Sequence, residues 1–333
     1  MGRILIVLPN WYGEALFVTP FLRALKTMRP QSTVAVLGVD RALELLRHHP
    51  CAEETITLDE GAWTVVRRMQ RERFEAAFIL RRSLTRTALL RLSGVPRRIG
   101  FANPKSGWLL TDRIVAPSHP VHKAHAYLAL LAVFGLVPPP GPYDYAPTLE
   151  ERAWARQMVS GQGLEHSRPL VVLHAGANWA HKRWPAERFG LLADRLSRDG
   201  LAVVVSEGPG DQSLTQAIVA KMAHRPVVVS GLSIRQLAAY VERASLMISN
   251  DTGVLHLAAA LKRPVVALYG PTSPALTGPL GDPQRIAVLH HPECCPRIPC
   301  VEPDRPPHPG MTAITVDEAY EAAKQLLEVG SRR

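Results

Sequence analysis

Short apolar runs separated by helix-length segments recur along the whole chain, and this alternation constrains its fold more than any other feature. In the first half the runs are residues 3–8, 33–37, 55–58, 76–80 and 98–101, with helical stretches at 15–28, 41–48, 63–71 and 83–92 between them. Phe17, Phe21, Leu22 and Leu25 recur at helical spacing, and Ser83 is placed to cap the last of these helices. Strand-length runs joined by helices imply βαβ units and a parallel sheet. Residues 137–147 then bring a density of proline that neither a helix nor a central strand accommodates. A second series follows, with a helix at 150–161 and strands at 170–174, 202–206, 227–230, 246–249 and 265–269. Its helices are 186–198, 212–222, 233–244, 254–261 and a final one at 316–329; Ser233-Ile234-Arg235-Gln236 has the form of a capping box. The expected architecture is α/β, two Rossmann-like doubly wound parallel-sheet domains facing a cleft. Residues 1–150 form the first domain and 151–315 the second; the C-terminal helix, 316–333, is expected to pack back on the first.

A chain of 333 residues fits two cores, and 47% hydrophobic with 20% charged residues excludes a disordered chain. The longest apolar run, residues 126–137, is 12 residues and stops at Pro138, whereas a membrane span needs roughly 20, so a buried helix is expected there. The run at residues 4–8 is too short for a secretory core, and the cytoplasm is the expected compartment. The net charge of +10 comes from 32 Arg and 7 Lys against 29 acids. Guanidinium forks suit phosphates and carboxylates, although a GC-rich genome yields the same bias. Charge alone leaves nucleic acid, an anionic membrane face and a phosphorylated glycolipid open; the absence of a nucleic-acid motif disfavours the first. Cys294, Cys295 and Cys300, near His290, His291 and His308, raise zinc. Adjacent cysteines without a second Cys-x-x-Cys pair speak against it, and no metal site is expected.

Three loops at strand ends carry candidate chemistry. At residues 246–261 an apolar strand runs into Ser249-Asn250-Asp251-Thr252-Gly253 and then a helix containing His256. A helix N-terminus there suits a pyrophosphate, and His256 adds a donor; an ordinary capped helix explains the spacing equally well. His174-Ala175-Gly176-Ala177-Asn178, followed by Lys182-Arg183-Trp184-Pro185, again follows a buried strand. Its small residues permit close backbone approach, and Lys182 can reach phosphate oxygens. Pro9-Asn10-Trp11-Tyr12-Gly13-Glu14 joins the first strand to the first helix. Glu14 there either complements the helix dipole or acts as a general base, and Trp11 can line a sugar surface. Arg81, Arg82, Arg86, Arg97, Arg98, His122 and Lys123 form a possible anionic acceptor patch, although most charge clusters are solvated faces. Neither a dinucleotide glycine fingerprint nor a P-loop is present.

These residues resemble glycosyltransferase family nine, the ADP-heptose:lipopolysaccharide heptosyltransferases. The similarity lies in residues 182–189 (Lys-Arg-Trp-Pro-Ala-Glu-Arg-Phe), 249–260 (Ser-Asn-Asp-Thr-Gly-Val-Leu-His-Leu-Ala-Ala-Ala) and 263–274, and more loosely in 4–13 and 98–101. It implies a GT-B fold, an acceptor-binding first domain, a donor-binding second domain and an inverting transfer from ADP-heptose to the inner core of lipopolysaccharide. Asp251, Thr252, Gly253 and His256 would then hold the diphosphate and heptose, with Gly176, Ala177, Asn178 and Lys182 completing the phosphate side. Leu232 and the loop from Gly208 to Asp211 would lie near the adenosine. Glu14 stands where the family usually has an aspartate proposed as the base, and Trp11, Arg81, Arg82 and Lys123 would face the acceptor. Many second-heptose enzymes carry four spaced cysteines in the C-terminal loop; Cys295 and Cys300 match that pattern, while Gly310 stands where another cysteine is expected. The Pro-Asn-Trp-Tyr-Gly opening favours the second-heptose branch. The resemblance implies no cofactor, a lipid-linked acidic oligosaccharide acceptor, no nucleic acid, and a cytoplasmic enzyme peripheral to the inner membrane. A related transferase or epimerase using another nucleotide sugar is the nearest alternative.

Overall fold

The computed structural model describes residues 2–135, 137–164, 168–295, 297–300 and 306–331. They form two compact units, Met1–Tyr145 and Ala146–Arg333. Thr148 belongs to the second unit. It caps the helix Leu149–Gly161 in a capping box with Glu151, and that helix is tied to Ile234–Val241 by Glu151–Arg235 (2.5 Å) and Arg152–Glu242 (2.7 Å) ion pairs.

The first unit holds β1 (Arg3–Val7), β2 (Thr33–Gly38), β3 (Glu54–Thr57), β4 (Ala76–Ile79), β5 (Arg97–Phe101) and β6 (Asp112–Ile114), ordered β3-β2-β1-β4-β5-β6. The second holds β7 (Leu170–His174), β8 (Ala202–Ser206), β9 (Val227–Val229), β10 (Leu246–Asn250), β11 (Val265–Tyr269) and β12 (Ile286–His290), ordered β12-β11-β10-β7-β8-β9. Every pairing is parallel. Both sheets have the same doubly wound order, which reverses between β1 and β4 and between β7 and β10; ligands of such sheets bind outside the strand C-termini at those reversals. The central strands β7, β10 and β11 are buried along their whole length, which is why they read as unbroken apolar runs. Two edge strands escaped the sequence pattern. β6 is Asp-Arg-Ile, too polar to register, and β12, half-buried along most of its length, lies in the stretch assigned to the loop before the last helix.

Two expected helices are divided. Residues 15–28 split into Tyr12–Leu16 and Thr19–Met28, the second starting where Pro20 needs no amide partner. The apolar run at 126–137 is helix Lys123–Ala129 continued by a 3-10 turn, Leu130–Phe134, and closed by Gly135 at φ +84. The final helix, Val316–Ser331, packs on the second unit's own sheet. Ala319, Tyr320, Ala323 and Leu326 join the second unit's core with Trp184, Phe189, Leu192 and Ile248, and the Arg195 guanidinium lies over the Tyr320 ring at 3.6 Å. The apolar face of this helix is therefore already used by its own sheet. Among the described residues no helix is long and apolar enough to cross a membrane.

Candidate functional site

The second sheet concentrates the candidate residues at its reversal point. β10 ends at Asn250, and Thr252 caps the helix Gly253–Ala260, its hydroxyl accepting from the Leu255 amide at 3.4 Å. The helix thus points its positive end at the strand C-termini, with Gly253 as its first residue. β7 ends at His174, and the loop through buried Gly176, half-buried Ala177 and exposed Asn178 runs into a 3-10 turn, Ala180–Lys182. One side chain locks the two loops together: the buried Asn250 amide donates to the Ala175 carbonyl at 2.7 Å and accepts from the Trp184 amide at 3.1 Å.

Asp251 is the electrostatic centre. Its Oδ2 accepts from Lys182 Nζ at 2.6 Å and from the Thr272 hydroxyl at 2.7 Å, and His256 Nε2 lies 3.6 Å from Oδ1. Burial alone would raise its pKa; the His256 hydrogen bond and the Lys182 charge outweigh burial and hold the carboxyl well below the usual carboxylate range. Asp251 and Lys182 therefore form a shielded ion pair at the helix start, with His256 beside it. Lys182 Nζ also lies 5.2 Å from the ring of Trp179, which is half exposed.

From β10 the remaining predicted residues follow successive strand ends: the Gly176–Lys182 loop on β7, Asp211 after β8, and half-buried Leu232 after β9. At about 4.8 Å per strand they mark an edge roughly 15 Å long, enough for an extended nucleotide. Asp211 has a role that spacing did not suggest. A Cβ on Gly176 would lie 2.2 Å from Asp211 Oδ2, and one on Gly208 2.8 Å away. These glycines admit the Asp211 carboxylate, so the space at Gly176 expected for a ligand's approach is taken by protein. Burial raises the Asp211 pKa against the opposing charge of Arg183, which donates to Asp211 Oδ1 at 3.1 Å and to the Ala177 carbonyl at 2.9 Å. Beneath them His174 is fully buried, its pKa pushed down to about 4 by desolvation, with Nδ1 2.9 Å from Ser206 Oγ.

In the first unit the loop after β1 is the counterpart. Glu14 lies in the first turn of Tyr12–Leu16, for which Trp11 is the N-cap, and Lys123 Nζ donates to Glu14 Oε1 at 2.6 Å. Lys123 opens the helix Lys123–Ala129, capped by His122. Trp11 is 43% exposed with the Arg41 guanidinium 4.2 Å over its ring. Arg81 and Arg82 are exposed after β4, and the Arg81 charge acts on buried Arg86 and, together with Glu14, on Tyr127. Glu14 and Lys123 are thus brought together, whereas Arg81 and Arg82 share only the loop. Arg86 is an anchor: it donates to the Leu8 carbonyl and to Asn10 Oδ1, holding the loop in place. Arg97 and Arg98 do not join the patch. They begin β5, at the opposite sheet edge from the strand C-termini, where Arg97 pairs with Asp112 at 2.7 Å and Arg98 donates to the Leu109 carbonyl at 2.8 Å.

Asn250, Thr272 and Trp179 were assigned no role from spacing. Asn250 and Thr272 fall inside motif stretches, but their contacts reach other strands. An exposed tryptophan beside a lysine is the one signal that was readable at Trp179.

The family model for glycosyltransferase family 9 (heptosyltransferase) matches residues 62–304. The lipopolysaccharide heptosyltransferase 2 of Salmonella typhimurium (strain LT2) is 27% identical, over 86% of this chain and 88% of its own. Among solved structures, E. coli ADP-heptose LPS heptosyltransferase II superposes with a TM-score of 0.85 at 24% identity, over 99% of both chains. The E. coli heptosyltransferase WaaC with ADP gives 0.74 at 20% identity, over 98% of this chain and 99% of its own.

Proposed function

This chain belongs to glycosyltransferase family 9, the heptosyltransferases, with a GT-B fold, and from that premise we propose that it moves heptose from ADP-heptose onto the inner core of lipopolysaccharide, with inversion at the anomeric carbon. The acceptor in this reading is a heptosyl-Kdo-lipid A, and the enzyme works in the cytoplasm at the face of the inner membrane that carries it. The observation that carries the reading is the Lys182–Asp251–His256 group at the reversal point of the second sheet.

The donor's diphosphate lies at the N-terminus of Gly253–Ala260, facing Lys182 and His256, with the nucleoside along the β8 and β9 ends near Asp211 and Leu232. A bare carboxylate beside a diphosphate would repel it. Asp251 instead holds Lys182, Thr272 and His256 in position before the ligand arrives, so little reorganisation is needed when charge develops on departing ADP. Glu14 removes the proton from the attacking acceptor hydroxyl, and Lys123 holds its carboxylate in place. Trp11, Arg81 and Arg82 face the acidic sugars of the acceptor. The reading calls for no cofactor besides the donor substrate.

A transfer assay with mass readout tests it, offering ADP-heptose beside UDP- and GDP-sugars to acceptors carrying no heptose or one. One added heptose from the ADP donor alone, on the singly heptosylated acceptor and with the opposite anomeric configuration, is expected. Transfer from a UDP- or GDP-sugar instead, or no transfer, overturns it.

A further inference from the structure

We propose that Cys295, Cys300 and His308 bind one thiolate-seeking metal ion, zinc being the best chemical match, and that this ion cross-links the segment after β12 that Cys300 seats on the loop after β11. One ligand atom from each of the three residues lies within 4.8 Å of the others. In tetrahedral zinc with Zn–S of about 2.3 Å the ligand atoms stand roughly 3.5–3.8 Å apart, so closure needs a shift of about an ångström. Two thiols and an imidazole suit zinc or iron and exclude magnesium and calcium, which take oxygen ligands.

The three positions are held by contacts that do not depend on an ion. The Cys300 amide donates to the Pro271 carbonyl at 2.7 Å, and the Cys295 amide to Pro292 at 3.1 Å. His308 caps the short helix Pro309–Ala313, its Nδ1 accepting from the Gly310 amide at 3.1 Å. An ion on Nδ1 replaces that bond; one on Nε2 moves the ring proton to Nδ1. Either change is small beside a metal–thiolate site. His308 is buried and the cysteines half-buried, so an ion there is shielded yet reachable. Tetrahedral zinc takes one more ligand, which water can supply.

The position has a structural consequence. Cys300 grips Pro271, and the next residue, Thr272, donates to Asp251. Gly270 and Gly310 pack so closely that a Cβ on Gly310 would lie 3.2 Å from Gly270 Cα. The ion therefore secures the strand end that presents Thr272 to Asp251.

Metal content of the purified full-length protein, by inductively coupled plasma mass spectrometry, and its cobalt(II) spectrum test this without donor or acceptor. About one zinc or iron per chain is expected, with a thiolate-to-cobalt charge-transfer band on reconstitution. Cys295→Ser, Cys300→Ser and His308→Gln lose the ion, whereas Cys294→Ser and Cys51→Ser keep it. ADP affinity of the metal-free protein falls on the order of 10-fold and returns when metal is restored, which covers variants that fail to fold. Absence of both bound metal and the cobalt band, wild-type metal content in Cys300→Ser, or a native Cys295–Cys300 disulfide by peptide mapping overturns the site.

Discussion

Lys182 Nζ donates to Asp251 Oδ2 at 2.6 Å, joining a loop that follows β7 to one that follows β10 where the second sheet reverses its strand order. With side chains 18% and 7% exposed, the pair is shielded from the solvent that makes most surface ion pairs weak. Burial makes the group costly to break and rigid while intact.

Asp251→Ala leaves Lys182 and His256 without their carboxylate. Breaking a buried pair costs about 3–5 kcal/mol, and the lower end is expected because Lys182 retains some water. Urea unfolding should move by that amount and calorimetric ADP affinity should fall about 10-fold or more. Asp251→Asn, which keeps an acceptor for Lys182 and Thr272, should lie between. Wild-type stability and affinity in the alanine variant would reject the central role given to Asp251.

Glu14→Gln keeps the shape of the side chain and removes its basicity. The turnover number should fall at least about 100-fold with ADP affinity unchanged, and Glu14→Asp should retain much of the activity. Full turnover in the glutamine variant would transfer the base role elsewhere.

Gly176→Ala places a methyl in space held by the Asp211 carboxylate, 2.2 Å from Oδ2. Overpacking of this kind costs about 1–3 kcal/mol. In an Asp211→Ala background the same substitution should cost much less, because the clashing atoms are gone. Equal costs in both backgrounds, measured as a double-mutant cycle, would contradict the packing described here.

His174 makes the protein less stable in mild acid. Its pKa falls from 6.5 to about 4 on folding because burial disfavours the cation. Between those values the unfolded chain holds a proton that the folded one does not, so this contribution is complete above pH 6.5 and is lost as pH falls toward 4. By pH 5 the loss is about 2 kcal/mol. Denaturant midpoints at pH 7 and pH 5 should differ less in His174→Gln than in the wild type; an unchanged difference would exclude His174 as its source.

The alternation of apolar runs and helices led directly to two doubly wound sheets, because burial of β7, β10 and β11 on both faces demands unbroken apolar residues. The same pattern located the three loops, since candidate residues follow strand C-termini, and the Ser233–Gln236 capping box formed as its spacing implies. The edge strand β6 was illegible because Asp-Arg-Ile carries no apolar run, whereas β12, Ile-Ala-Val-Leu-His, carries one that the proline-rich stretch around it obscured.

Spacing along the chain thus determined which segments are strands, which are helices, and at which strand ends polar residues gather. Only the tertiary structure decided which of those residues meet. Lys182 and Asp251 are 69 positions apart, Asn250 and Ala175 75 apart, and Gly176 is a glycine on account of Asp211 on the neighbouring strand's loop. It also decided which core residues the last helix meets in the second unit and that Cys295, Cys300 and His308 converge. The physical reason is that periodicity records whether a residue is buried, a property of its own segment. A polar side chain's partner depends instead on which strands lie side by side, and sequence spacing does not encode that order.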